Sequence, residues 1–329
     1  MRLGSRPGLS QRAGAQRRGA QRGAALLIAM IIVTLVATLA ASMVWQQWRA
    51  VQVEAAERSR VQSAWILSGA LDWARLILRE DARGSNDDDL GEPWAVPLAE
   101  ARLSTFLAAD KSNTDDAPDA FLSGAITDAQ ARYNLTNLVA QGTINPAELA
   151  AFGRLCEAIG APGDVAGRIA NALLAAQGAA GTTGIDPAAP LLPRSVAQLA
   201  WLGVDAETVR LLAPYVVLLP VATPVNINTA SREVLVAAID DLDLATAERL
   251  IEVRQRTPFK STAQITHELS AQTAVDPARL GFSSNFFEVR GRLRLGDRVL
   301  EQTSLIKRDR LNVTVLQREQ VSSLDQGTS

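Results

Sequence analysis

Three observations predict an α+β fold in which one long N-terminal helix lies on a small antiparallel sheet, with a large all-α block inserted between the strands. The run Ala24–Trp45 is uncharged and apolar, and it passes without a breaker into an amphipathic stretch. The segment from Asn285 to Gln317 has apolar residues that alternate, the strand period. Between them, from Asn145 to about Val253, the chain reads as helix after helix. With 47% apolar and 21% charged residues among 329, the chain has enough apolar surface for one or two cores, which excludes global disorder.

The apolar run is 22 residues long, and as a helix it reaches about 33 Å, enough to cross a hydrocarbon core of about 30 Å. Its hydroxyls, Thr34, Thr38 and Ser42, are able to bond back to their own helix. Six arginines and no acid precede it within the first 23 residues, so the positive-inside rule keeps the N-terminus in the cytoplasm and sends the rest across the membrane. A secretory signal has a shorter apolar core with small residues after it; here the basic cluster and the small residues come first, so cleavage after the run is not expected. Beyond Arg49, Ala64, Leu67, Leu71, Ala74 and Leu78 recur at spacings of 3, 4, 3 and 4, which predicts one continuous helix from Ala24 to about Ala82, stopped at Arg83-Gly84.

Two acidic polar stretches follow, at 84–100 and 110–119. Their Asp clusters make Asp87, Asp88, Asp89, Asp115 and Asp116 weak calcium candidates, because calcium takes six to eight oxygens, but the spacing fits no EF-hand loop and a solvated loop is the simpler reading. Residues 121–138 read as a β-hairpin turning at Asp128-Ala129, with Tyr133, Leu135 and Leu138 inward and Asn134 and Asn137 tying down the following turn. Helices are expected from the Asn145-Pro146 cap to Gly160, over 163–177, and in two short pieces separated by Gly203. Strands are expected over 285–295, 298–307 and 312–317, with a frayed tail after Arg318. The boundaries are therefore 1–23 leader, 24–45 membrane helix, 46–84 helix extension, 85–140 acidic loops and first strands, 141–284 helical insert, 285–317 terminal strands and 318–329 tail.

Within the insert, 225–265 predicts a helical pair: Asn228 or Thr229 caps the first helix, Asp243 starts the second, and Thr257-Pro258 ends it. The stretch is similar to the helix-hairpin-helix (SAM-like) modules of DNA-binding proteins, whose Gly-rich turn lets backbone N–H groups approach a phosphate. Here the turn is Asp240-Asp241-Leu242-Asp243, with no Gly and three carboxylates that would repel one. A structural pair is favoured over the alternative, a membrane-tethered DNA-binding or DNA-uptake protein. The arginines before residue 24 leave the remainder acidic, which also disfavours nucleic acid as a partner. Cys156 is alone, so no internal disulfide forms, and it reads as a small buried residue. With His267 the single histidine, neither a His-based metal cluster nor a Ser-His-Asp triad is available; no catalytic constellation is found and an enzyme is not expected.

The basic leader ending at Gly23, followed by an apolar helix, resembles the type IV prepilin class, in which a prepilin peptidase cuts after the Gly; Ala24 would be the mature N-terminus. The fifth mature residue, usually Glu in such subunits, is Ile28. Together with SAWILSGALDWARLIL, NLTNL, LAPYVVLLPVATPVNINTA, RQRTPF and SSNFFEVRG, these features make the chain similar to the K-type minor pseudopilins of type II secretion systems. The resemblance implies a pilin-like fold, residence in the inner membrane with a periplasmic C-terminal domain, and no required cofactor. It also implies partnership with I- and J-type minor pseudopilins, the pseudopilus and the inner-membrane secretion platform. On that reading the insert caps a fibre tip, and Ile28 marks a subunit with no neighbour above whose terminal charge needs a carboxylate.

Overall fold

The structure is a computed structural model describing residues 15–103, 120–181, 190–269, 275–296 and 298–324. The chain divides into two units, Met1–Ala64 and Trp65–Ser329. Helix α1, Ala15–Gly84, contributes to each. In the first unit its side chains from Gly23 onward are almost all exposed, including Leu26, Ile31 and Val33 at more than half of their surface. Thr34 and Thr38 donate to Ile31 O and Leu35 O at 2.9 and 2.8 Å, and Ser42 donates to Leu39 O, so the run presents no unpaired hydroxyl. By length and composition this helix is able to cross a membrane.

The second unit is α+β. Its strands in chain order are β1 (Leu98–Arg102), β2 (Ala120–Asp128), β3 (Tyr133–Asn134), β4 (Val139–Ala140), β5 (Thr143–Ile144), β6 (Val216–Val217), β7 (Val225–Asn226), β8 (Leu280–Gly281), β9 (Phe286–Leu295), β10 (Arg298–Asp309) and β11 (Asn312–Leu324). The main sheet is antiparallel with order β1-β2-β9-β10-β11, so β2 and β9, neighbours in space, are separated by the whole helical block. One face of this sheet receives α1: Leu67 packs with Ala120, Leu122 and Leu293, while Leu71, Ala74 and Leu78 pack with Trp94, Phe287, Val289 and Ile306. The 3-4-3-4 spacing thus buries Leu67, Leu71, Ala74 and Leu78, and leaves Ala64 partly exposed. Gly124 and Gly291 face each other across β2 and β9. A Cβ on Gly124 would lie 2.8 Å from Arg290 O, so the approach of β9 requires glycine there, whereas one on Gly291 would lie 3.1 Å from Leu67 Cδ2 and push that side chain back by a few tenths of an ångström.

The inserted block holds α2 (Pro146–Ala158), α3 (Val165–Gly181), α4 (Ala206–Leu212), α5 (Arg232–Ala238), α6 (Leu244–Arg256) and α7 (Thr262–Glu268) around the largest core of the molecule. Asn145 Oδ1 accepts from Ala147 N and caps α2, with Pro146 in the first turn where its missing N–H costs nothing. Phe152 on α2 stacks on Tyr133 at 5.5 Å between ring centroids, and Tyr133 Oη donates to Glu148 Oε2 at 2.8 Å.

Three expectations are corrected. Residues 121–138 are not a hairpin: β2 pairs with β1 and β9, whereas β3 pairs in parallel with β6. The chain breaks at Asp128 because its side chain turns back on Gln130 N, after which Tyr133, Leu135 and Leu138 enter the core of the insert. The helix at 232 is capped by Ser231, whose Oγ accepts from Val234 N, and not by Asn228 or Thr229. The last strand runs on to Leu324, since residues 318–324 pair with 298–304 of β10 in place of fraying. The expected acidic loop at 110–119 lies outside the described residues, as do most of the leader and residues 325–329.

Replacing Phe152 with Ala removes a fully buried ring that Tyr133 stacks on, and is expected to lower unfolding stability by about 3–5 kcal/mol in denaturant titration.

Candidate functional site at the joint of helix, sheet and insert

One set of buried polar residues gathers where the insert leaves and rejoins the sheet. Asp128 closes β2 with its carboxylate fully inside. Its Oδ2 accepts from Thr229 Oγ1 at 2.6 Å, Ser284 Oγ at 2.7 Å and Asn226 Nδ2 at 3.0 Å, and its Oδ1 accepts from Gln130 N at 2.7 Å. Burial pushes this carboxyl above the usual carboxylate range, while the hydrogen bonds from Ser284, Thr229 and Gln130 act in the opposite direction. One side chain thereby joins the end of β2, the segment entering α5 and Ser284, two residues before β9.

Ser284 extends the network to a buried ion pair. Its N–H donates to Asp88 Oδ2 at 2.6 Å, and its carbonyl accepts from Arg308 Nη2 at 3.0 Å. Arg308, near the end of β10, also bonds Asp88 Oδ2 at 2.6 Å and Asp81 Oδ2, on α1, at 2.8 Å, and its guanidinium lies 4.6 Å from the centre of the Phe287 ring. The three charged side chains are at most 8% exposed. Asp81 and Asp88 are raised by desolvation and lowered by Arg308. Glu92, half-buried beside them, is pushed up to about 7 by burial, against the pull of the Trp94 indole N–H at 2.7 Å and the Asp89 N–H. Carboxylate oxygens of Asp81, Asp88 and Glu92 lie within 4.8 Å of one another, and Arg308 is the cation placed among the first two.

The second polar set is in the predicted helical pair. Asn228 bridges the backbone of Phe259, giving a hydrogen bond to its carbonyl and taking one from its N–H, both 2.9 Å. Arg254, buried on α6, donates to Ile227 O and is lowered to about 10 by desolvation. In the turn, Asp240 holds Arg154 at 2.6 Å and Arg279 at 2.8 Å, Asp241 adopts a positive φ of 57°, and Asp243 caps α6 by accepting from Thr246 N at 2.7 Å. Asn134 and Asn137 reach further than the next turn: their amides bond Val221 O and Thr223 O, about 87 residues along the chain. Each of these side chains is doing structural work in the insert.

The sequence-selected positions fall elsewhere. Gly23, Ala24 and Ile28 lie on α1 in the first unit, with Ile28 58% exposed and open space around Gly23. Of the calcium candidates, Asp88 gives both oxygens to protein donors, Asp89 Oδ1 accepts from Gly91 N, Asp87 is half-buried in the same loop, and Asp115 and Asp116 are outside the described residues. Sequence reasoning missed Arg308, Asp128, Asn226 and Ser284. For Arg308 a signal existed: it is two residues beyond the buried Ile306 on an alternating strand, so it had to point at the core.

An α+β subunit carrying one helix long and apolar enough to cross a membrane, with a helical block set between two neighbouring strands, is the class these features define. Comparison with known proteins narrows it. Family models described as type II secretion system (T2SS), protein K match residues 131–221 and 225–283. A type II secretion system protein K from Pseudomonas aeruginosa is 29% identical over 82% of this chain and 84% of its own length. One from Pectobacterium carotovorum is 27% identical over 92% and 97%. A chain in the crystal structure of the GspK-GspI-GspJ complex from the enterotoxigenic Escherichia coli type 2 secretion system has the same fold, with a TM-score of 0.62, 20% identity, and coverage of 82% of this chain and 99% of that one. The chain is thus similar to type II secretion system protein K over most of its length.

Removing the guanidinium with Arg308→Leu leaves Asp81 and Asp88 buried without a cation, and should cost about 3–5 kcal/mol of unfolding stability, with Asp88→Asn in the same background restoring part of it. Glu92 has a folded-state value above its ordinary 4.5, so the native state holds a proton that the unfolded chain has lost; stability falls as pH rises from about 4.5 to about 7. In Glu92→Gln the decline should become shallower, measured as denaturation midpoints across this window, the raised carboxyls of Asp81, Asp88 and Asp128 supplying what remains.

Proposed function

We propose that the chain is a minor pseudopilin that joins I- and J-type partners in a complex at the tip of a periplasmic pseudopilus, where it starts and caps the fibre and supports export of folded proteins across the outer membrane. The observation that carries this reading is the combination of an apolar helix, a sheet and an interposed helical block in a chain similar to type II secretion system protein K, the fold of a chain solved together with GspI and GspJ. In this proposal the basic leader holds the N-terminus in the cytoplasm of a single-pass inner-membrane protein, prepilin peptidase cuts between Gly23 and Ala24, and the remainder is periplasmic. The role is structural, with no cofactor required, and the α5–α6 pair serves as a helix-hairpin-helix scaffold whose turn is held by Asp240 pairing with Arg154 and Arg279.

The mechanism rests on shape and charge. A helical block of this size on the pilin-type sheet blocks stacking of a further subunit, provided that it is held in one orientation. The buried joint at Asp128 and Arg308 supplies that rigidity. Ile28 matches the tip position, because a Glu there with no N-terminal amine to answer would cost several kcal/mol on burial in the fibre.

Substitution Gly23→Leu should leave a full-length precursor in cells carrying prepilin peptidase, seen as an unprocessed band; normal maturation would refute the assigned junction. Ile28→Glu should mature normally but lower secretion and recovery of the tip complex; unchanged secretion would remove the role given to Ile28.

A further inference from the structure

Strand β11 is an outer strand of the main sheet, and among the described residues nothing pairs with its far side. Which of its main-chain groups point that way follows from β10. Arg308 N donates to Asn285 O at 2.7 Å, on the β9 side, and the bonding direction alternates from residue to residue along a strand. Even-numbered residues of β10 therefore bond towards β9 and odd-numbered ones towards β11. Val313 and Val315, opposite Arg308 and Ile306, turn their own N–H and C=O outward. The register then slips by one residue at Leu316, and beyond it Arg318, Gln320 and Ser322, opposite Ser304, Gln302 and Leu300, are the outward positions. The two halves of this edge differ. Before the slip, Arg75 of α1 covers the edge, donating to Val313 O through Nε and Nη2 at 3.0 and 2.7 Å, and the bulge follows; a covering helix and a bulge are both ways of closing a sheet edge. After it, residues 317–324 run on for about 27 Å with no proline, lysine or further bulge. Every side chain from Arg318 to Ser322 is exposed, Val321 by 66%.

An open edge of this kind selects its ligand by chemistry. Donors and acceptors that recur at every second residue, about 6.8 Å apart, are matched by another extended main chain, and not by a helix, whose own groups are already paired. A second copy of this chain does not supply that strand. From Leu67, packed with Leu293 opposite Leu300, to Leu78, whose carbonyl Arg308 reaches, α1 runs the same way as β10 and opposite to β11. An antiparallel pair of β11 strands would therefore set two α1 helices head to tail, whereas copies inserted in one membrane by that helix share a direction. A parallel pair in register would place Arg318 against Arg318. We propose that residues 317–324 accept an added β-strand, an extended segment of a neighbouring minor pseudopilin, bonded to the main chain of Arg318, Gln320 and Ser322. The inference rests on the assembly reading above and adds to it the element and the chemistry of one contact.

The test is hydrogen exchange, resolved to single amides, on the full chain in mild detergent, alone and co-purified with its I- and J-type partners. In the chain alone the amides of Arg318, Gln320 and Ser322 should exchange fast, and in the complex they should slow by about tenfold or more. Unchanged exchange at all three in a complex that co-purifies would overturn the proposal, as would protection in the chain alone that grows with its own concentration. Ser322→Pro removes an outward N–H and none of the bonds to β10, so its melting temperature should match the native chain while partner recovery falls about tenfold, with Ser322→Ala, which keeps the N–H, recovering partner as the native chain does. Native recovery by a folded Ser322→Pro would remove the added strand and leave the assembly reading standing. If that variant does not fold, the exchange of the native chain decides. Failure of the unmodified chain to co-purify with either partner would defeat both.

Discussion

The second unit depends on one buried interaction, the grip of Arg308 on Asp88 and Asp81. Each guanidinium contact lands on a different part of the chain: Asp81 on α1, Asp88 in the loop that follows, Ser284 at the exit of the insert, and the Phe287 ring on β9. Taking three charges out of water costs several kcal/mol for each ion, so an arrangement like this persists only when geometry and further hydrogen bonds compensate. Here they do, since Ser284 N completes Asp88 and Ser284 Oγ passes the network on to Asp128. An apolar plug of the same volume would give comparable stability but would not specify which four segments meet, and in the proposed role, where partners read the subunit's shape, that specification matters.

The same logic explains why the insert is tied in by amides as well as by apolar packing. β2 ends at residue 128 and β9 begins at 286, so two adjacent strands hold a block of more than 150 residues between them. Such a block is able to swing unless its entry and exit are fixed. Asp128, Asn226 and Ser284 fix both at one point, and Asn134 and Asn137 fasten the first turn of the insert to residues 221–223. These asparagines bond main chain on both sides, which is what a joint needs: backbone positions are then set whichever residues surround them.

Much of this was legible in the sequence, for physical reasons that differ by element. Helix α1 announced itself because its apolar stripe repeats with the helical period and its end carries Arg83-Gly84; the β9–β10 hairpin did so because alternation brackets Gly296, whose φ is positive. The capping Asn145, and the three carboxylates that argue against a phosphate site, were equally readable, because caps and turn charges act over a few residues. The misreadings involve distance. Tyr133-Asn134 has strand character, but its partner is 83 residues away at Val216-Val217 and parallel, which no local pattern encodes. Asp88 stood in a run of aspartates that resembled a solvated or ion-binding loop, and only the fold brings Arg308, 220 residues later, against it. The roles proposed for Gly23, Ala24 and Ile28, in processing and assembly, involve other molecules, so the chain by itself does not display them.

The central claim is that the joint and the insert exist to give one subunit a shape that its partners recognise. Native mass spectrometry of the full mature chain co-expressed with I- and J-type minor pseudopilins tests this most directly. A single assembly containing one copy of each is the predicted result. This chain recovered alone, or bound only to further copies of itself while the other two associate without it, would contradict the account.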